Sequence, residues 1–169
     1  MTLSVDTEID ATAPVVSRTE IVIQAPLQAV WDLHTDVSGW PSWQSDIDGT
    51  QPRGPLAVGA VFRWQTAGLD ITSTVAQFDA PHRVVWGGPA HGITGVHVWS
   101  FTQTADGVHV RTEESWDGEP VRVAVDALQA ALDTSLQTWL RNLKRTAEAA
   151  ATSSAPTNPS PTTHIGAQS

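Results

Sequence analysis

The chain has no cysteine and no tyrosine, one methionine, three phenylalanines, and half as many basic as acidic residues, 9 against 18. Without cysteine there is no disulfide, no thiolate metal site and no thiol nucleophile. Without tyrosine a common phenolic acid is missing from the catalytic repertoire. A formal net charge of −9 repels phosphates and anionic headgroups, which disfavours nucleic acid and membrane surfaces as partners. Neutral or cationic small molecules, or proteins, remain. No apolar run approaches the ~20 residues of a membrane span. The opening MTLSVDTEIDATAPVV lacks the basic and apolar stretches of a secretory signal. The expectation is a cytoplasmic protein with no membrane insertion; no feature of the sequence sets an oligomeric state.

What is present is tryptophan, eight in 169 residues. Each brings a large apolar surface and one N–H donor, which suits either an ordinary core or a wall that grips something flat or oily. Composition and length fit one domain with a core. Residues 1–16 are polar and acidic and read as a loose arm. From 150 to 169 the chain is mostly Ser, Thr, Pro and Ala, and is expected to be disordered. The domain between them spans 17–149.

Within it, SRTEIVIQ alternates as a strand, and Pro26 marks a helix start followed by Leu27, Val30, Trp31 and His34 at helical spacing. Gly39 and Pro41 keep any second helix short. A weak strand near 47–52 precedes GAVFRWQTA, LDITSTVAQF, HRVVWGG, ITGVHVWSFTQT and GVHVRTEESW, separated by turn sequences. From about Pro120 to Ala149, Val125, Leu128, Leu132, Leu136, Trp139, Leu140 and Leu143 form the apolar stripe of one helix. Its ~45 Å length is enough to cross a curved sheet.

Asp106-Gly107 reads as a two-residue hairpin turn. That register puts His97, Trp99 and Phe101 on one face with Val110, Thr112, Glu114 and Trp116, with Trp99 opposite Glu114 and His97 diagonal to it. A bulged turn would slip the pairing by one and turn Arg111 and Glu113 inward; the hydrophobic pattern opposes it. The earlier hairpins put Phe62, Trp64, Ile71, Ser73, Val75, Val84 and Trp86 on the same inner face. Ser73, His97, Thr112 and Glu114 are more polar groups than a dry core accepts, since each left unsatisfied costs ~1–3 kcal/mol. A cavity accounts for them.

The segments WPSWQSDI, GLDITSTV, VVWGGPAHGITGVHVWSF and VRTEESWDG, followed by the long amphipathic helix, resemble the polyketide cyclase/dehydrase-like branch of the START/Bet v 1 (SRPBCC) superfamily. The resemblance covers about Ser17 to Ala149. It implies an α+β helix-grip fold, with a curved antiparallel sheet around a long C-terminal helix and two short helices after the first strand. It also implies a deep apolar cavity for lipids, sterols, polyketides or aromatic compounds, used by some members for ring closure and by others only for carriage or sensing. No universal catalytic motif transfers residue by residue.

The site expected on these grounds has His97 and Glu114 as an acid–base pair that removes a proton alpha to a ketone, the first step of aldol ring closure. The indole N–H groups of Trp86, Trp99 or Trp116 and the hydroxyls of Ser73 and Thr112 are candidate donors to the enolate. The competing reading is that His97 and Glu114 only satisfy one another. Ligand contacts are expected from Trp43, Phe62, Trp64, Ile71, Ser73, Trp86, His91, Trp99, Thr112, Trp116, Leu128, Leu132 and Leu136. Trp43 and Gln44 are placed at an entrance, GGPAHG with His91 at a flexible rim, and Trp139 in pure packing. No His cluster has metal-ligand spacing, no phosphate-binding glycine loop or nucleophile elbow is present, and no cofactor is expected. The partner is a hydrophobic small molecule, to be cyclised or dehydrated, or else carried or sensed; a protein-interaction module with a vestigial cavity is the third alternative.

Overall fold

The computed structural model describes residues 4–154. Strand β1 (Val15–Ile23) leads through Pro26 into helix α1 (Leu27–Thr35), a single turn at Val37–Gly39, and the short helix α2 (Trp40–Trp43). Six strands follow: β2 (Ile47–Pro52), β3 (Val61–Thr66), β4 (Leu69–Asp79), β5 (Arg83–Ala90), β6 (Ile93–Thr104) and β7 (Gly107–Asp117). One turn of helix, α3 (Glu119–Arg122), precedes the 29-residue α4 (Val125–Ser153). The strands form one antiparallel sheet in the order β1-β7-β6-β5-β4-β3-β2. Helix α4 lies against the inner face and packs on β1 and α1. This is the helix-grip arrangement that the family resemblance implies.

The inward faces are those the alternation predicts. Phe62, Ser73, Val75, Val84, Trp86, His97, Trp99, Phe101, Val110 and Thr112 are buried. The pairing of β6 and β7 differs in detail. Thr104 pairs with Gly107, so the turn residues are Ala105 and Asp106, and His97 lies directly opposite Glu114 while Trp99 lies opposite Thr112. Sliding by two residues keeps every side chain on its face, which is why the pattern alone could not detect it. Gly107 serves close approach rather than the turn centre: a Cβ there would sit 2.8 Å from the Ile23 carbonyl oxygen. In β4 the pairing shifts between Val75 and Gln77, which lets Val75 and Phe78 both serve the core.

Two boundaries are corrected. The long helix begins at Val125, because Pro120 belongs to the separate turn α3, and it runs past Ala149 to Ser153. The N-terminal arm is not loose over its described part. Ile9 packs against Val85, Val96 and Val98 on the outer face of the sheet. Arg83 donates to the Thr7 carbonyl at 3.0 Å and to Glu8 at 2.8 Å, and the Asp10 N–H donates to Ser115 Oγ at 3.0 Å. Three valines on an outward face need cover, and the arm's one large apolar side chain within that contact supplies it. The Ser/Thr/Pro/Ala tail beyond 154 lies outside the described residues.

Candidate functional site

Between the sheet and α4 is a cavity of about 630 Å³. Its walls come from Trp64 on β3, Ile71 and Ser73 on β4, Trp86 on β5, His97 on β6, and Glu114 and Trp116 on β7. Leu128, Ala131, Ser135 and Trp139 close it from α4. The rim holds Asp46 and Asp48, the β3–β4 turn at Ala67, and the β5–β6 turn at Ala90 and His91. Space exists here because β5 and β6 carry glycine where neighbouring positions carry tryptophan. Gly95 pairs with Trp116, and a Cβ on it would lie 3.5 Å from that ring and 4.0 Å from Glu114 Oε1, in ordinary contact. A larger side chain at Gly95 would therefore enter the space over the carboxyl group.

The polar centre is a chain of four groups across β6 and β7. His97 Nε2 is 2.8 Å from Thr112 Oγ1 and its Nδ1 is 3.3 Å from Glu114 Oε2. The Trp116 indole donates to Glu114 Oε1 at 2.7 Å. The His97 side chain is 3% exposed and that of Glu114 15%, so the carboxyl is the better exposed of the two. Burial holds the His97 pKa well below its ordinary value, reinforced by the nearby His34 imidazole. Burial raises Glu114 to about 7, against the opposing Trp116 hydrogen bond. Two proton arrangements satisfy the same heavy-atom geometry with a neutral imidazole. An ionised Glu114 accepts from His97 Nδ1–H while Thr112 donates to Nε2. A protonated Glu114 donates to Nδ1 while Nε2–H donates to Thr112. The His97 tautomer follows the charge on Glu114, and near neutral pH the carboxyl can give or take a proton.

The expected site residues divide into two groups. His97, Glu114, Trp64, Ile71, Ser73, Trp86, His91, Trp116 and Leu128 line the cavity. Trp43, Phe62, Trp99, Thr112, Leu132 and Leu136 do not. Trp43 is buried edge-on against Trp139, and Gln44 accepts a 2.7 Å hydrogen bond from Asn142, so neither forms an entrance. Phe62 and Trp99 belong to the aromatic core, and Leu132 and Leu136 pack with Val15 and Val121. Thr112 is fully buried, and its hydroxyl contacts His97. Of the proposed enolate donors, Trp116 and Thr112 are already engaged, Trp99 lies outside the cavity, and the Trp86 Nε1 is buried without an acceptor. Ser73, which accepts from Trp64 Nε1 at 3.0 Å, keeps its hydroxyl proton free to donate.

Trp139, expected in packing, lines the cavity as well. The cavity stripe of α4 is 128, 131, 135 and 139, one residue round from the leucine stripe. Ala131 and Ser135 gave no apolar signal to find it by. Among the described residues no helix is long and apolar enough to cross a membrane.

Residues 14–148 match the profile of the family described as polyketide cyclase / dehydrase and lipid transport, and the chain belongs to that family. A search of curated proteins by sequence gives no match. Among solved structures the chain is similar to the hypothetical protein jhp0584 from Helicobacter pylori, with TM-score 0.73, 17% identity, and 86% of this chain and 99% of that one covered. A START superfamily protein from Mycobacterium smegmatis gives TM-score 0.69 at 11% identity, covering 80% and 98%. The di-domain ARO/CYC StfQ from the steffimycin biosynthetic pathway gives 0.68 at 16% identity; 82% of this chain is covered, but only 52% of that protein. These likenesses establish a START-like fold.

Proposed function

We propose that the cavity holds a hydrophobic, aromatic or polyketide-like molecule, and that Glu114 is the general acid–base group that promotes its cyclisation and dehydration. The observation that carries this reading is a carboxyl with its pKa raised to about 7 on the wall of an apolar cavity of about 630 Å³. His97 is a positioning residue in this scheme. Both its ring nitrogens are occupied, so it sets the orientation and protonation of Glu114 and does not itself meet the substrate. Ionised Glu114 takes a proton from the carbon alpha to a ketone, and the enolate carbon bonds to a second carbonyl carbon. The resulting alkoxide takes that proton back from Glu114, with Ser73 donating a hydrogen bond to the oxygen. Glu114 then takes the second alpha proton and passes it to the departing hydroxide, so that water leaves and the carboxylate is restored.

A carrier reading has its own support: each Glu114 oxygen already has a partner, in His97 or Trp116, as a buried carboxyl needs without any chemistry. Closure of heptane-2,6-dione to its cyclohexenone, followed by absorbance, separates the two. Glu114→Gln is expected to lower the protein-dependent rate by ~10²–10⁴-fold. His97→Ala should lower it less and move the pH profile. Gly95→Val, which fills the space over the carboxyl, should abolish binding of the product. Turnover equal in the parent and in Glu114→Gln, with product still bound, would leave the carrier reading standing.

A further inference from the structure

The cavity's charge has one sign. Its wall and rim carry Glu114, Asp46 and Asp48, and among the described residues no Lys or Arg lines it. His97 does not offset this. His97 has both ring nitrogens engaged by Thr112 and Glu114, and His91, exposed at the rim, has its Nε2 2.8 Å from the Asp70 carbonyl oxygen. The apolar wall is largely indole. Trp64 and Trp86 meet at 83° with centroids 5.7 Å apart, forming a concave corner, and Trp116 and Trp139 contribute further rings. Glu114 uses one acceptor site on each oxygen for His97 and Trp116, which leaves each oxygen a further acceptor site on a side chain that lines the cavity.

A carboxylic ligand would be buried beside a carboxyl with no cation to meet it, a costly arrangement. A neutral ligand without a donor would fill the volume and leave Glu114 without a further partner, and a neutral O–H or N–H would give it a hydrogen bond without the charge. A ligand bearing a protonated amine meets both the carboxylate and the electron-rich indole faces, an attraction that strengthens as water is excluded. We infer that the natural ligand is a hydrophobic molecule carrying a basic nitrogen, held in the indole corner with its ammonium group toward Glu114. The inference rests on the reading of the cavity as a ligand site, specifies the ligand's charge, and goes with the carrier reading, since an ammonium paired with Glu114 keeps that carboxylate from an alpha carbon. The rim aspartates extend the same preference outward, attracting a cation before it enters.

Three probes of one shape test it: 2-naphthylmethylamine, 2-naphthylmethanol and 2-naphthoate. Each is titrated calorimetrically into the full chain at pH 8, where the amine is largely protonated and Glu114 largely ionised. The amine is expected to bind at least about tenfold more tightly than the alcohol, and the carboxylate most weakly. Glu114→Gln should remove most of the amine-to-alcohol ratio, whereas Asp46→Asn with Asp48→Asn, both at the exposed rim, should change it about twofold at low salt. The comparison of probes on the parent protein needs no variant, so a misfolded substitution cannot obscure it. If the alcohol or the carboxylate binds as well as the amine, the charge inference fails and the cavity remains a ligand site. If none of the three binds, the ligand-site reading fails with it.

Discussion

The space between sheet and helix has two ends, built on the same strands but filled oppositely. At the end nearest α1 and α2, Trp31, His34, Trp40, Trp99 and Phe101 close the interior completely. Trp40 alone has Phe62, Trp86 and Trp139 within 5.8 Å between ring centroids, and it donates a 2.7 Å hydrogen bond to the His34 carbonyl. At the other end, Gly95, Ser73, Ala131 and Ser135 put no ring into the space, and a cavity results. Each end also buries a histidine. His34 has no partner for either nitrogen, whereas His97 has a partner for both. Curvature of the sheet is common to both ends, so side-chain volume decides which end is hollow.

The contrast predicts unequal costs of truncation. Trp40→Ala should destabilise by ~3–5 kcal/mol, because a buried ring is lost and the close-packed surroundings cannot collapse into its place. Trp64→Ala, on a half-buried ring that already borders empty space, should cost only ~1–2 kcal/mol while weakening probe binding. Urea denaturation of both variants gives the comparison; equal losses would mean that the cavity end is as tightly packed as the other.

Much of this division was beyond reach of the sequence, for an identifiable reason. Alternation tells which face of a strand looks inward, and Trp64, Trp86, His97 and Glu114 were placed correctly by it. It does not tell how far along the inner face the helix sits. Phe62 and Trp64 share one face of β3, and His97 and Trp99 one face of β6, yet one of each pair lines the cavity and the other is core. The same ambiguity put Leu132 and Leu136 in the site in place of Ala131 and Ser135. The His97–Glu114 contact depended on a hairpin register that parity leaves open by two residues. The cover provided by Ile9 was missed because one apolar side chain in an acidic segment gives no periodic signal.

At the hollow end, Glu114 makes the fold sensitive to pH. Its folded pKa, about 7, lies above the ordinary value of 4.5, so the folded state binds more protons between these values. Its contribution is fully present below pH 4.5 and is lost as pH rises through 7. Full ionisation costs up to ~3 kcal/mol at ~1.4 kcal/mol per pH unit. Glu114→Gln keeps an acceptor for Trp116 and a donor for His97 but cannot ionise. It should therefore be more stable than the parent by up to that amount at pH 8, with the difference shrinking toward pH 4.5. Denaturation midpoints across this range measure it, and a difference independent of pH would remove the reason for treating Glu114 as poised near neutrality.

The sealed end should show the opposite slope and a smaller effect. Burial lowers His34 from 6.5 to about 3, so between these values the unfolded chain binds more protons. Stability attributable to this group is fully present above pH 6.5 and falls as acid is added. At pH 5 the loss is ~2 kcal/mol, from 1.5 pH units at ~1.4 kcal/mol each. His34→Leu removes the titration and fills the site with an apolar side chain among Trp99, Phe101 and Trp139. The variant's advantage over the parent should be constant above pH 6.5 and grow by about that amount at pH 5. His97, lowered mainly by its own burial, still titrates in both proteins, and only the smaller part of its lowering that comes from His34 enters the difference. A difference that stays flat down to pH 5 would mean that water or a partner reaches the His34 ring, and that the sealed end is not sealed.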